Sequence, residues 1–198
     1  MIFVGLTDLL SRVLPRVPRD TGSTAFAPGI VALNPGLLTS LFATAPATAD
    51  PITPAHLSIP SLGVDAVVEQ VGVKDDGSMQ NPSSFATVGW YKYGAKPGAV
   101  GHAVFAGHVN NALGLDGVFA HLFEVNIGDK IVVTDQNGST LTYAVESKTQ
   151  YDSQNAPRDE IFKVTGPSEL VLITCEGDWI PSARSYNKRL VVLARLVR

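Results

Sequence analysis

The stretch Glu169-Leu170-Val171-Leu172-Ile173-Thr174-Cys175 is an apolar run that ends on the only cysteine of the chain, and polar Glu176-Gly177-Asp178 follows at once. It reads as a β-strand that surfaces on a lone thiol. A few per cent of an ordinary thiol is already thiolate at neutral pH, and a neighbouring cation raises that fraction. The plainer reading of an isolated cysteine is a small buried apolar residue. The choice between them depends on whether the rest of the chain supplies a base and a cation.

Outward from that run, the chain from Thr53 onward is built of short β-branched segments separated by Gly, Asn, Asp and Pro. Strands are expected at His56 to Ile59, Val64 to Val71, Gly101 to His108, Lys130 to Thr134, Ser139 to Thr149, Glu169 to Thr174 and Arg189 to Leu196. Asp75-Asp76-Gly77 and Gln136-Asn137-Gly138 are turn signals, and the second reads as a hairpin. The one helical signal is Gly117 to Phe123, where Phe119, Leu122 and Phe123 share an apolar face. Seven or eight short strands with few helices predict an all-β fold, a closed or nearly closed β-barrel.

A second apolar strand, Ala103-Val-Phe-Ala-Gly107-His108, also ends on a reactive side chain, with Val109-Asn110 after it. A histidine beside Cys175 would hold it as thiolate and later give a proton to a leaving amine. Taken alone, a His after Gly at a strand end is a turn or surface residue. Of the other histidines, His56 lies near the first strand, His102 has nothing site-like after it, and His121 is explained by packing or solvent contact. Asn110 is placed to support the loop by local hydrogen bonds. The third element is Asn187-Lys188-Arg189 at the entry of the last strand; Arg189 there would aim a fixed fork of donors at an oxyanion, whereas the common use of such a residue is an edge charge. Arg184 is the other candidate, on the connection after Cys175.

Composition narrows the class. The 198 residues suit one domain with a tail; only 17% are charged, and the formal net charge is −3, so no basic surface of the kind nucleic acid requires is visible. No paired Cys or close His/Cys cluster has zinc-ligand spacing, and Asp75, Asp76, Asp152, Asp159 and Glu160 are scattered rather than gathered as a calcium site; no cofactor is expected. No charged residue lies between Asp20 and Asp50, Arg12, Arg16 and Arg19 precede that segment, and Ala47-Thr48-Ala49 has the form of a processing site. Residues 1–52 therefore read as an export signal or anchor, or as a Pro/Ala/Thr-rich spacer, ahead of a catalytic domain over residues 53–198.

Three motifs together resemble the sortases, cysteine transpeptidases of Gram-positive cell surfaces. Leu172-Ile-Thr174-Cys175 is similar to the family's TLxTC motif with Val171 in place of the first Thr, and it stands with Phe105-Ala-Gly-His108 and Lys188-Arg189-Leu-Val-Val192 in the family's order. Val88-Gly-Trp90-Tyr91, Gly94-Ala-Lys96-Pro-Gly98, Gly117-Val-Phe119 and Gly128-Asp129 resemble class F and neighbouring actinobacterial-type sortases. The resemblance implies an eight-stranded barrel with His108 after the fourth strand, Cys175 at the end of the seventh and Arg189 opening the eighth. It also implies an LPxTG-like sorting signal of a surface protein as substrate. Cys175 would attack the threonine carbonyl, His108 would protonate the departing amine, and an amine of a cell-wall precursor or pilin would resolve the thioacyl-enzyme. Arg189 would position the signal and stabilise the oxyanion, Thr174 would help shape the same pocket, and the enzyme would work outside the cytoplasm with membrane association through its N-terminal segment.

A thiol hydrolase passing the acyl group to water is a variant of this reading. Papain-like enzymes place Cys before His on a helix, and L,D-transpeptidases carry a S-x-G-C context, so both fit less well. The alternative from another class is a non-catalytic cell-surface β-barrel binding module with Cys175 simply buried.

Overall fold

The computed structural model describes residues 49–111 and 113–197; the export-signal, anchor or spacer reading falls almost wholly on residues 1–48, outside that range. Eight strands close into a barrel in the order β1-β2-β3-β4-β7-β8-β6-β5. They are β1 (Pro54–Ile59), β2 (Val64–Val71), β3 (Val88–Tyr91), β4 (Gly101–Ala106), β5 (Lys130–Asp135), β6 (Thr140–Asp152), β7 (Ser168–Ile180) and β8 (Ser185–Leu196). Among the described residues the one α-helical turn, α1, is Arg158–Ile161. Two strand pairs are parallel, β2 with β3 and β4 with β7; the others are antiparallel, and β5 returns to β1 to close the ring.

The apolar run that opened the sequence is a strand covered on both faces. Leu170 and Leu172 enter the main core with Phe105, Phe119, Ile131 and Tyr143, all fully buried. Val171 points the other way into a second small cluster with Val104, Val191 and Ile161 of α1. Where both faces of a strand are dry there are no polar positions to alternate with, which is why Ala103–Ala106 of β4 and Leu170–Ile173 of β7 are continuously apolar. The Gln136-Asn137-Gly138 hairpin is present, with Asp135 Oδ1 accepting the backbone N–H groups of Asn137 and Ser139 at 2.8 Å each.

Three expectations change. The Cys175-bearing strand does not stop at Thr174, nor does the last strand open at Arg189: β7 continues to Ile180 and β8 begins at Ser185, so both residues lie inside long paired strands. Beyond the barrel the two strands pair mainly with each other, as an arm whose faces meet solvent, and hydrophobic patterning gives no sign of it. A bulge breaks its register between Glu176 and Trp179, where Gly177 adopts φ 82° and the Asn187 side chain fills the space a Cβ would need. Second, β3 was not among the expected strands; its four residues include Gly89 and show no alternation. Third, Gly117 to Phe123 forms turns and a 3-10 turn over Leu122–Glu124, with Phe119 and Leu122 buried and Phe123 exposed, so no single apolar face forms. Before β1, Ile52 donates to the Pro97 carbonyl and packs in the core, with Ala49 against it.

Candidate active site

Register brings the three sequence candidates into one row. In the parallel β4–β7 pair each residue is matched with the one 67 positions later, from Gly101 with Ser168 to Ala106 with Ile173. The pairing carries on past the end of β4, since Gly107 N–H donates to the Ile173 carbonyl at 3.1 Å. Two residues beyond Ala106 is His108 and two beyond Ile173 is Cys175, so the same offset sets them side by side. On the other edge of β7, Cys175 is directly opposite Arg189. Neighbouring strands lie about 4.8 Å apart, and β7 stands between β4 and β8. His108 and Arg189 thus flank Cys175 from opposite sides, on the face that carries Ile173 and Val191.

That face is the floor of a groove of about 340 Å³ lined by Ile173, Val191 and Arg189 below, Ser78 and Met79 of the β2–β3 connection on one wall, and Ile161 and Phe162 on the other. A larger depression of about 770 Å³ among Pro51–His56 and Gln136 lies across the barrel on β1, β2 and β5, far from the only thiol.

Burial pushes the Cys175 thiol above its ordinary value, and the Arg189 guanidinium, then the Lys74 ammonium, draw it part of the way back. Desolvation outweighs the two cations, so the protein surroundings favour the thiol form of Cys175. His108 is fixed by the β2–β3 connection. Its Nε2–H donates to the Pro82 carbonyl at 3.2 Å, and its ring packs on Phe85 with centroids 4.7 Å apart. A carbonyl only accepts, so in the neutral ring the free lone pair is on Nδ1.

Arg189 spends three of its N–H groups on its own strand, two from Nη1 to the Tyr186 and Lys188 carbonyls and one from Nη2 to Ser185 Oγ. Thr174 is buried and turned inward, its hydroxyl donating to the Gly107 carbonyl at 3.0 Å. That bond ties β7 to β4 one residue before His108, and any contact of Thr174 with a bound molecule falls to its backbone.

Other candidates resolve differently. His102 is part of a buried network: Nδ1–H donates to the Ile161 carbonyl, Nε2 lies 2.9 Å from Glu169 Oε2, and Arg195 holds Glu169 Oε1 and pairs with Glu146. His121 is exposed between Glu124 and Asp116, which raise its pKa. Asn110 makes a distant bond, Nδ2 donating to Tyr186 Oη at 2.6 Å, and so fastens the β4–β5 connection to the arm. Arg184 is at the arm's tip with φ 49°. Trp90 is a core residue whose Nε1–H donates to the Ala95 carbonyl, while Trp179 is exposed on the arm against Tyr186. Sequence reasoning missed Lys74, Pro82 and Phe85, whose relation to the site is wholly tertiary.

The sortase domain profile matches residues 57–197, which includes every strand from the middle of β1 to the end of β8. The chain belongs to the sortase family. Solved sortases share the fold. Sortase A from Corynebacterium diphtheriae, a lid mutant, is 24% identical with a TM-score of 0.56, over 76% of this chain and 73% of that one. Sortase C-1 from Actinomyces oris is 24% identical with a TM-score of 0.56, over 74% and 76%. Sortase A from Listeria monocytogenes is 21% identical with a TM-score of 0.55, over 75% and 89%. No curated protein sequence matches.

Proposed function

We propose that this sortase is a cysteine transpeptidase that cleaves an LPxTG-like sorting signal after its threonine and passes the acyl group to an amine of the cell wall or of a pilin, outside the cytoplasm. The observation that supports it is the row His108–Cys175–Arg189 along one face, at the end of an apolar groove of a size to hold a short peptide. The likeness to class F and actinobacterial-type sortases rests on the sequence motifs. Among the described residues no helix is long and apolar enough to cross a membrane.

The chemistry starts from the Cys175 thiol. The Cys175 proton passes to His108 Nδ1, and the sulfur attacks the threonine carbonyl as it becomes anionic. Arg189, opposite Cys175 on β8, would offer its remaining N–H groups to the carbonyl oxygen as negative charge develops on it. When the C–N bond breaks, the imidazolium returns its proton to the leaving amine, and a thioester with neutral His108 remains. The acceptor amine then reverses these steps.

The test is a library of sorting-signal peptides incubated with the protein, with and without an added amine. Cleavage after threonine, with products that shift to the amine adduct when amine is added, supports the reading. Cys175→Ala is expected to abolish both products with the melting temperature unchanged, and His108→Ala and Arg189→Ala to lower the rate by about a hundredfold or more. Failure of a folded sample to react with any thiol reagent at Cys175 would favour the non-catalytic binding module.

A further inference from the structure

On the face that carries the catalytic row lies a second polar row that the mechanism does not use. His102 is directly opposite Glu169 in the β4–β7 pair, and Glu169 is directly opposite Arg195 in the β7–β8 pair. Side chains alternate along a strand, so residues an even number apart share a face. His102 and His108, Glu169 and Cys175, and Arg195 and Arg189 are each six apart in sequence. At about 3.3 Å per residue the two rows stand about 20 Å from each other, with Val104, Val171 and Val191 between them. The turn α1 lies over that stretch. Ile161 packs against the three valines, and Ile161 with Phe162 forms one wall of the groove.

A helix of one turn has little stability of its own, because nucleation costs more than its few hydrogen bonds return. The bonds of α1 run from Ile161 N–H to the Pro157 carbonyl and from Phe162 N–H to the Arg158 carbonyl; among the described residues no side chain caps its start. The carbonyls of its last turn have no partner within it. His102 supplies one: Nδ1–H donates to the Ile161 carbonyl at 3.1 Å, and the His102 backbone N–H donates to the Lys163 carbonyl at 2.8 Å. A carbonyl only accepts, so Nδ1 carries a proton. The ring is held from behind, with Nε2 2.9 Å from Glu169 Oε2 while Arg195 Nη2 donates to Glu169 Oε1 at 3.0 Å. His102 and Glu169 are both buried, at 8% and 6% exposure, so water does not replace these partners.

We propose that His102 is a positioning residue for the donor peptide, an inference that rests on the transpeptidase reading above. By holding the Ile161 carbonyl it keeps the Ile161–Phe162 wall in place before the peptide arrives. Without that donor the buried carbonyl turns toward water and the wall moves with it. Peptide binding must then restore the wall, and affinity falls by that cost. The catalytic row is fixed by other contacts, His108 by Pro82 and Phe85, and Arg189 by Tyr186, Lys188 and Ser185, so the chemical step is untouched.

Two substitutions separate the bonds of the ring. An Asn amide nitrogen reaches the position of Nδ1 and a Gln amide nitrogen that of Nε2, so His102→Asn keeps a donor for Ile161 and His102→Gln keeps one for Glu169. In the full chain with an LPxTG-type donor peptide, His102→Gln is expected to raise the donor KM about tenfold, with kcat within about twofold of the parent. His102→Asn is expected to leave both within about twofold. Each variant loses one buried hydrogen bond, so a role in stability alone lowers both melting temperatures and does not separate the two in KM. A donor KM in His102→Gln within about twofold of the parent, or raised equally in the two variants, overturns the proposal, as does a kcat lowered in the same proportion. If the variants do not fold, the Cys175→Ala protein with isotope-labelled histidine decides. Saturation with donor peptide is expected to shift the His102 Nδ1 resonance together with those of His108, and a His102 resonance that stays in place while His108 moves overturns the proposal. A parent that does not cleave the peptide refutes the function itself; a parent that cleaves, with His102→Gln equal to it, refutes only the role of His102.

Discussion

At Cys175 two opposing effects set the reactivity. Burial stabilises the thiol, and the Arg189 and Lys74 cations stabilise the thiolate, with burial ahead. Alkylation by iodoacetamide, which consumes thiolate, is therefore expected to rise with pH to a midpoint above that of a free cysteine. Replacing Arg189 by Gln removes the larger of the two cationic effects, so the midpoint moves higher still. At a fixed pH below it the rate falls. An unchanged midpoint in the variant would show that the guanidinium does not act on the sulfur. Residue type and order made Cys175, His108 and Arg189 legible in the sequence, because each stands beside a strand-like run. Lys74, Pro82 and Phe85 were not legible: they gain meaning only through a connection folding over β4, which no local pattern encodes.

At the scale of elements, the connection between β2 and β3 supplies a groove wall through Ser78 and Met79, the carbonyl that fixes His108 through Pro82, and the ring against it through Phe85. Glu69 of β2 anchors that connection, its Oε1 accepting from Ser83 N–H at 2.7 Å and Thr87 Oγ1 at 2.5 Å. Burial works to raise the Glu69 carboxyl, and the hydrogen bonds from Thr87 and Ser83 together outweigh it and hold it below the ordinary value. A lowered carboxylate contributes stability above its unfolded pKa and loses it as pH falls through the folded value. Limited proteolysis within the connection is thus expected to accelerate as pH drops below about 4, and to be fast and pH-independent in Glu69→Gln. A cleavage rate flat over the acid range in the parent would remove Glu69 as the anchor. The strands themselves were readable wherever a face is dry. The arm beyond Cys175 was not, since solvent on both its faces erases the alternation and only the β7–β8 ladder holds it.

For the whole molecule, the parallel β4–β7 pair is the organising feature: it places two long apolar strands side by side, and its constant offset sets His108 next to Cys175. Below the site, that pair is braced by His102, Glu169 and Arg195, where a buried carboxylate joins β4, β7 and β8. Removing Glu169 leaves the buried His102 Nε2 without its partner, so Glu169→Leu is expected to cost about 2 kcal/mol and to lower the melting temperature by about 6 °C. Peptide cleavage at 25 °C should survive, and a melting curve unchanged by the substitution would deny the network its role. The barrel was legible from the number and spacing of strands; the parallel pairs β2–β3 and β4–β7 were not, because parallel neighbours leave no turn signal between them. The most direct test of the account is the intact mass of the protein after brief exposure to an LPxTG-type peptide. The account predicts an acyl adduct on Cys175, absent in Cys175→Ala and released by an added amine as the new amide. Peptide cleavage without any adduct on that sulfur, or with the Cys175→Ala protein equally active, would contradict it.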